Sequence, residues 1–420
     1  MVKKIIILGA GFGGLRTALG LAKKFSDHQQ YEIILIDKNS YHTYTPSLYE
    51  VATAYRGRAL KNVSAEVEFE EELAGSSCFV ISEIIAAKNI HFLHDEVTDI
   101  HLAEKRVVTK NVGEVDFDYL VVALGSEATY FGVQGAQQCC STLKTLTDAL
   151  NIRDEIEAVL AQKRRKTTRL VTVGGGLSGV EVAAEMAKYA KHLAKNYAID
   201  GQNINIEIIE AGPSILSSTP NIMQKHMERR LNKLGVGILT NRRVQKIEPR
   251  KLYFEDGSVL EADFIFWAGG IRGPKWLGNI EGMALDEKSG RILIDRFLRV
   301  RGYDTVFAIG DVALFLDEER GAPVPATAWA AEQQADAVIY NISAALRGGK
   351  LRAYRAKFPG FVSAAGGKYA VAHLFGFTFA GPHAWLIKRV IDLKYIWSLY
   401  PKWKGFKIWC GELRLFVGND

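Results

Sequence analysis

The pattern that most constrains this chain occurs twice. Residues 3–15 read KKIIILGAGFGGL, and residues 169–181 read RLVTVGGGLSGVE. Each copy is an apolar, β-branched run, then Gly-x-Gly-x-x-Gly, then a stretch of helical character. In that strand-turn-helix context the first glycine turns the chain out of the strand, the second lets backbone approach a pyrophosphate, and the third lets helix pack on strand. The glycines are Gly9, Gly11 and Gly14 in the first copy and Gly174, Gly176 and Gly179 in the second. Phosphate would then rest on the positive end of the following helix.

A lone match of this kind can arise from steric needs alone. Here each copy has a second half. YEIILID ends in Asp37 and INIEIIE ends in Glu210, and an acid at the end of the second strand can accept the hydroxyl hydrogen bonds of an adenosine ribose. Either acid alone would pass for a solvated strand-end carboxylate. Two coincidences of glycines, strand and acid predict two dinucleotides.

The rest of the chain fits an α/β protein of several domains. At 420 residues with 48% hydrophobic and 24% charged residues it has ample core. Cys78, Cys139, Cys140 and Cys410 form no metal-ligand spacing and no disulfide framework, so a reducing compartment and no metal are expected. The first apolar run carries the fingerprint and does not read as a signal peptide, and no uncharged span is long enough for a transmembrane helix. An irregular stretch, NSYHTYTPSLYEVATAYRG, follows Asp37; YLVVALGS (119–126) should close the first sheet; a basic connector, RDEIEAVLAQKRRKTTR, leads into the second nucleotide unit; and Asp256-Gly257 reads as a hairpin turn.

At NSYHTYTPSLYEVATAYRG, YLVVALGSEATYFGV, FIFWAGGIRG and VFAIGDVALF the chain resembles the type II NADH dehydrogenases, single-subunit NADH:quinone oxidoreductases that do not pump protons. The resemblance implies two Rossmann-like domains, the second inserted in the first: an FAD domain at 1–125 with 290–345, an NADH domain at 150–280, and a membrane-associating or dimerising segment at 346–420. It assigns Gly9, Gly11, Phe12, Gly13, Gly14, Asp37, Lys38, Thr45, Pro46, Ala123, Gly125, Gly310 and Asp311 to FAD. Thr45 and Pro46 would approach the isoalloxazine, and Asp311 the ribitol or pyrophosphate; as an alternative, Asp311 reads as a helix cap. Gly174, Gly176, Leu177, Ser178, Gly179, Glu210, Gly269 and Gly270 would hold NADH, Glu210 disfavouring a 2′-phosphate by like charge. A nicotinamide stacked on the flavin passes hydride without a side-chain nucleophile, and the absence of cysteine in residues 38–55 excludes the disulfide-reductase branch.

For the electron acceptor, a membrane quinone, the resemblance points to Trp329, Ala330, Gln333 and Lys394. The family carries two glutamines four residues apart; here the stretch reads ATAWAAEQQA, so Gln333 matches the second while Trp329 replaces the first, to stack on the quinone or narrow its channel. Glu181 matches a position near the flavin and is either a proton relay or an acid compensating the helix dipole in the first turn.

From residue 381 onward seven Lys or Arg face three acids (Asp392, Glu412, Asp420), net +4 of the chain's +6, together with Trp385, Trp397, Trp403 and Trp409. In AWLIKRVIDLKYIWSLY the charges Lys388, Arg389 and Asp392 fall on one side at helical spacing. That suits an amphipathic helix in the plane of an anionic membrane; a core-capping helix or a homodimer interface has the same pattern. A peripheral protein on the cytoplasmic face of a prokaryotic inner membrane is expected, with no nucleic-acid partner, since no such motif accompanies the basic tail. Two other classes stay open: a sulfide:quinone oxidoreductase, disfavoured because Cys139 and Cys140 lie in a connector and Cys410 in the tail, and a sensor flavoprotein.

Overall fold

The computed structural model describes residues 2–25, 30–55, 63–162, 167–317 and 321–417. Arg56 and Gly57 of the irregular stretch, the basic run 163–166 of the connector, and Asp420 lie outside the described residues. The chain forms two compact units: residues 1–42, 79–127 and 271–358 make the first, and residues 43–78, 128–270 and 359–420 the second.

The first unit is built on a five-stranded parallel sheet in the order Val306–Ala308, Tyr119–Val122, Lys3–Leu8, Tyr31–Asp37, His91–His94. Ile5 to Leu8 are fully buried, as a central parallel strand covered on both faces requires. The strand of YLVVALGS is interior, with Val306–Ala308 beyond it at the edge, so the later Gly-Asp strand closes the sheet. The helix Phe12–Lys24 runs from the first strand's end and packs on Ala328–Leu346. Gly20 permits that approach, since a Cβ there would overlap Ile339, and Arg16 ties the two helices by paired bonds to Asp336 at 2.8 Å.

The second unit repeats the plan with four parallel strands in the order Val236–Leu239, Ile204–Ile209, Thr168–Val173, Phe264–Trp267. The hairpin at Asp256-Gly257 is present between Lys251–Phe254 and Val259–Glu261, with Gly257 at φ 78°. A three-stranded antiparallel meander, Gly360–Ala364, Ala370–Leu374 and Phe377–Gly381, leads into the helices Pro382–Leu399 and Lys402–Val417.

The divisions differ from expectation: residues 271–280, expected with the NADH domain, and 346–358, expected with the tail, belong to the first unit. Residues 43–78, expected with the first nucleotide domain, belong to the second unit, and so does the tail from Pro359, which is not a separate segment. The reason is a shared apolar core: Leu48, Tyr49, Phe69 and Leu73 pack in one cluster with Ile152, Val180, Met186, Val371 and Phe416. The stretch after Asp37 is also less irregular than it reads, containing the single turn Thr45–Ser47 and the short helix Leu48–Val51. No helix among the described residues is long and apolar enough to cross a membrane.

Candidate functional site

The two glycine loops are built alike because strand register puts the same groups beside them. In the first, Leu8 lies level with Ile36 on one side and Val122 on the other; in the second, Val173 lies level with Ile209 and Trp267. Each loop therefore leaves its sheet between neighbours on opposite sides, at the switch point where open α/β sheets bind ligands. Gly9 N–H donates to Ile36 O at 2.8 Å, and Gly174 N–H donates to Ile209 O at 2.8 Å. One residue further along each neighbouring strand stands the acid. Asp37 accepts N–H bonds from Ala10 at 2.6 Å and Asn39 at 2.7 Å. Glu210 accepts them from Gly175 at 2.7 Å and Gly212 at 2.6 Å. Burial pushes the Asp37 carboxyl up, and those two N–H groups draw it back.

The glycines divide by what surrounds them. A Cβ on Gly14 would overlap Gly9 O, and one on Gly179 would overlap Gly174 O. A Cβ on Gly11 or Gly176 would meet nothing within 4 Å. These two N-cap glycines, with no side-chain cap on either helix, leave open cradles over free helix N-termini. A dinucleotide pyrophosphate fits each of them.

Other expected residues of the first unit gather around the first loop. Phe12 and the buried Gly13 open its helix, and Phe12 meets His42 edge-on at 5.0 Å. His42, which sequence reasoning missed, bonds Ala10 O through Nδ1 at 2.8 Å; burial lowers its pKa to about 4, so the ring is neutral. Ala123 places its carbonyl against Gly9, and Gly125 follows at φ 73°. Gly310, at φ 72°, donates its N–H to Gln334 Oε1 at 2.6 Å. Asp311 caps nothing: it sits within the turn Gly310–Val312 and accepts from Ser126 Oγ at 3.0 Å. Lys38 is exposed. Thr45 and Pro46 belong to the second unit, where Thr45 is exposed and Pro46 half-buried. Around the second loop, Leu177 and Ser178 open the helix Leu177–Tyr197, and Gly269 and Gly270 follow the strand Phe264–Trp267.

The residues expected at the acceptor are divided between the units. Trp329, Ala330 and Gln333 lie on the first-unit helix, where Thr327 accepts from Ala330 N–H at its N-cap. The Trp329 indole N–H donates to Lys357 O at 2.9 Å, Gln333 Nε2 donates to the same oxygen at 2.7 Å, and Lys357 N–H donates to Gln333 Oε1 at 3.1 Å. Both side chains thus hold the backbone at Lys357. In the second unit Lys394 is exposed. Glu181 lies past the first turn of its helix and accepts Ala364 N–H at 3.1 Å, so dipole compensation does not explain it. Burial raises its pKa to about 7 against the opposing pull of Lys388.

Lys388 belongs to a buried charged cluster that is the main site feature absent from the sequence reading. On the helix Pro382–Leu399, Lys388, Arg389 and Asp392 are 7%, 3% and 2% exposed, while Leu386, Val390, Ile391 and Trp397 are 53%, 53%, 43% and 41% exposed. The charged stripe therefore faces inward and the apolar stripe outward, the reverse of a helix whose charges meet lipid headgroups. Arg389 pairs with Glu50 and, at 3.3 Å, with Asp392. Tyr44 OH donates to Asp392 at 2.6 Å, Lys388 stands 3.7 Å from Asp392, and Lys388 Nζ lies 5.3 Å over the Tyr49 ring. Burial opposes the Lys388 charge, but Asp392, Tyr49, Tyr44 and Glu181 hold its pKa well above the ordinary value. The signal available in the sequence was the narrowness of the charged stripe, since a water-facing stripe on a surface helix is usually the wider one. The four cysteines are half-buried and unpaired, and the described residues contain no cluster able to hold a metal.

Two parallel sheets with open glycine cradles and strand-end acids define a two-nucleotide oxidoreductase, and the family model for pyridine nucleotide-disulphide oxidoreductases matches residues 3–335. The fold is similar to that of NDH2 from Plasmodium falciparum in complex with NADH (TM-score 0.83, 20% identity, 99% of this chain and 98% of the other). It is also similar to the sulfide:quinone oxidoreductase of Aquifex aeolicus (TM-score 0.74, 19% identity, 95% and 91%). Sequence separates the two: the type II NADH:quinone oxidoreductase of Staphylococcus aureus is 30% identical over 94% of this chain and 96% of its own, and that of Staphylococcus saprophyticus 28% over the same shares. The chain belongs to the type II NADH:quinone oxidoreductases, whose cofactors are FAD and NADH.

Proposed function

We propose that the chain carries hydride from NADH to FAD and two electrons onward to a membrane quinone, without pumping protons, while docked peripherally on the bilayer. The observation that carries this reading is the matched pair of loops, each with an open central glycine and an acid already oriented by two backbone N–H groups. The first loop, with Asp37 and Asp311, would hold FAD, and the second, with Glu210, would hold NADH. When bound, the flavin supplies hydride acceptance and electron release. The protein's share is position and charge. Asp37 and Glu210 are held ready for ribose hydroxyls, and the carboxylate of Glu210 disfavours a 2′-phosphate. Glu181, beside Lys388, holds a proton near neutral pH for the acceptor. Trp329 and Gln333 fix the backbone at Lys357 and bound the quinone approach from the first unit.

Membrane docking rests on the outward apolar face of Pro382–Leu399, extended by Trp403 at 73% and Phe406 at 50% exposure and bordered by the exposed Lys394, Lys402 and Lys407. A homodimer burying that face is the competing reading of the same residues. The deciding test of the catalytic reading is spectroscopic. Under anaerobic conditions NADH bleaches the flavin absorbance of the purified protein and added quinone restores it; an oxidised spectrum that persists in excess NADH overturns the assignment.

A further inference from the structure

One buried cluster of the second unit holds more carboxyl groups than its cations balance. Glu50, Asp392 and Glu412 are 7%, 2% and 4% exposed, Glu181 is half-buried beside them, and the cations among them are Lys388 and Arg389. Arg389 and Lys388 are engaged by Glu50 and Asp392. Glu412, on the last helix, is left over: its Oε1 has no hydrogen-bond partner among the described residues, and neither has Glu50 Oε2. The groups that act on Glu412 are Lys388, Arg389 and Asp392 of the preceding helix, with Tyr44 facing it from the turn before Leu48–Val51. The last helix is fixed over them by Trp409, whose indole N–H donates to Arg389 O at 2.8 Å. A solvent-open cleft lined by Glu50 and Arg389, with Glu185, Lys188, Trp385 and Phe416, borders this cluster; Glu412 itself does not line it, but Phe416, one turn further along the same helix, does.

The reaction proposed above requires a proton from the protein side. NADH, H⁺ and quinone give NAD⁺ and quinol: the hydride brings two electrons and one proton, and the quinol's second proton comes from the medium. Resting on that reading, we propose that Glu412 is the proton store for quinone reduction and that the cleft walled by Glu50 and Arg389 is where it reloads from water. The proton passes from Glu412 to the Asp392–Lys388 pair, which faces Glu181, and Glu412 takes a replacement from the cleft. Arg389 stays charged throughout and holds Glu50 ionised, while Asp392 carries the proton only in transit. Consistent with a store, burial first and the Asp392 charge second push the Glu412 carboxyl up to about 8. Glu412 acts on the acceptor through other groups and is a positioning and supply residue.

The test uses the full-length holoenzyme with Glu412→Gln and Glu412→Asp. Infrared difference spectra between pH 6 and pH 9 should show protonated-carboxyl loss from both Glu181 and Glu412 in the wild type; the component lost at the higher pH should be missing in Glu412→Gln and return, shifted, in Glu412→Asp. In stopped flow, reoxidation of reduced enzyme by a soluble quinone should slow roughly tenfold in Glu412→Gln and lose its alkaline limb, below the 10²–10⁴ of a direct acid catalyst, with Glu412→Asp recovering most of it. Reoxidation by ferricyanide, which takes electrons without protons, should be unchanged. An unchanged carboxyl band, or equal slowing with quinone and ferricyanide, overturns the proposal. Failure of the wild type to be reoxidised by quinone while ferricyanide succeeds overturns the functional reading instead.

Discussion

Replacing Glu210 by alanine separates the two nucleotide sites. A carboxylate offers about four acceptor positions; two are occupied by the N–H groups of Gly175 and Gly212 at 2.7 and 2.6 Å, which leaves capacity for two ribose hydroxyls. Losing hydrogen bonds to a charged acceptor, with water replacing them, costs about 1–3 kcal/mol in NADH binding, equivalent to roughly 5- to 150-fold in KM. The two backbone N–H groups lose their acceptor as well, so the second unit should be destabilised by about 1–2 kcal/mol. FAD content, read as flavin absorbance per protein, should stay normal because Asp37 serves the other loop. NADPH should be discriminated against less, since the like charge facing a 2′-phosphate is gone. The assay is steady-state turnover with NADH and NADPH against ferricyanide, beside the flavin ratio. Loss of flavin with an unchanged NADH KM would refute the reasoning and reverse the two sites; Asp37→Ala is the mirror experiment and should cost FAD.

Trp329→Gln keeps a side-chain donor near Lys357 O but removes an indole worth about 0.5–1.5 kcal/mol of stacking, so the quinone KM should rise while flavin reduction by NADH is unchanged; a shift in melting temperature alone would make Trp329 purely a brace. Polar substitution of Leu386, Val390 and Ile391 should release the protein from liposomes with normal ferricyanide turnover, whereas loss of a dimer in sedimentation with membrane binding intact would favour the dimer reading. Glu181 and Glu412 titrate near 4.5 unfolded and at about 7 and about 8 folded, so between those values the folded state binds more protons and stability falls as pH rises. Each contributes a slope of about 1.4 kcal/mol per pH unit inside its window, and Glu412→Gln should flatten the fall in melting temperature between pH 5 and pH 8.

The nucleotide loops were legible because everything that defines them is local or one strand away: glycines, apolar runs and the acids Asp37 and Glu210. Assigning residues 43–78 and the tail was not possible from the chain, because the contacts that decide it join Leu48 and Phe69 to Ile152, Val371 and Phe416, all far apart in sequence. The helix Pro382–Leu399 shows a subtler limit. Periodicity gives the angle between its charged and apolar stripes but not which one turns inward; the membrane-plane and core-capping readings share one pattern, and only the packing shows Lys388, Arg389 and Asp392 facing inward. Trp329 departs from a pattern of glutamines, and only the bond to Lys357 O shows that its indole supplies a donor there alongside Gln333.

The uneven surroundings of the glycines carry a consequence for how such chains diverge. Gly14 and Gly179 are required by their own loop carbonyls, and Gly9 and Gly174 by the carbonyls of Ala123 and Ala268, so all four would be kept by a descendant that folded this way and bound nothing. Only Gly11 and Gly176 face open space. Selection on a lost cofactor would relax there first, and a serine or alanine at the middle position of an otherwise intact motif would mark a fossil site. The motif taken whole records ancestry and architecture; its central residue is the part that records present occupancy.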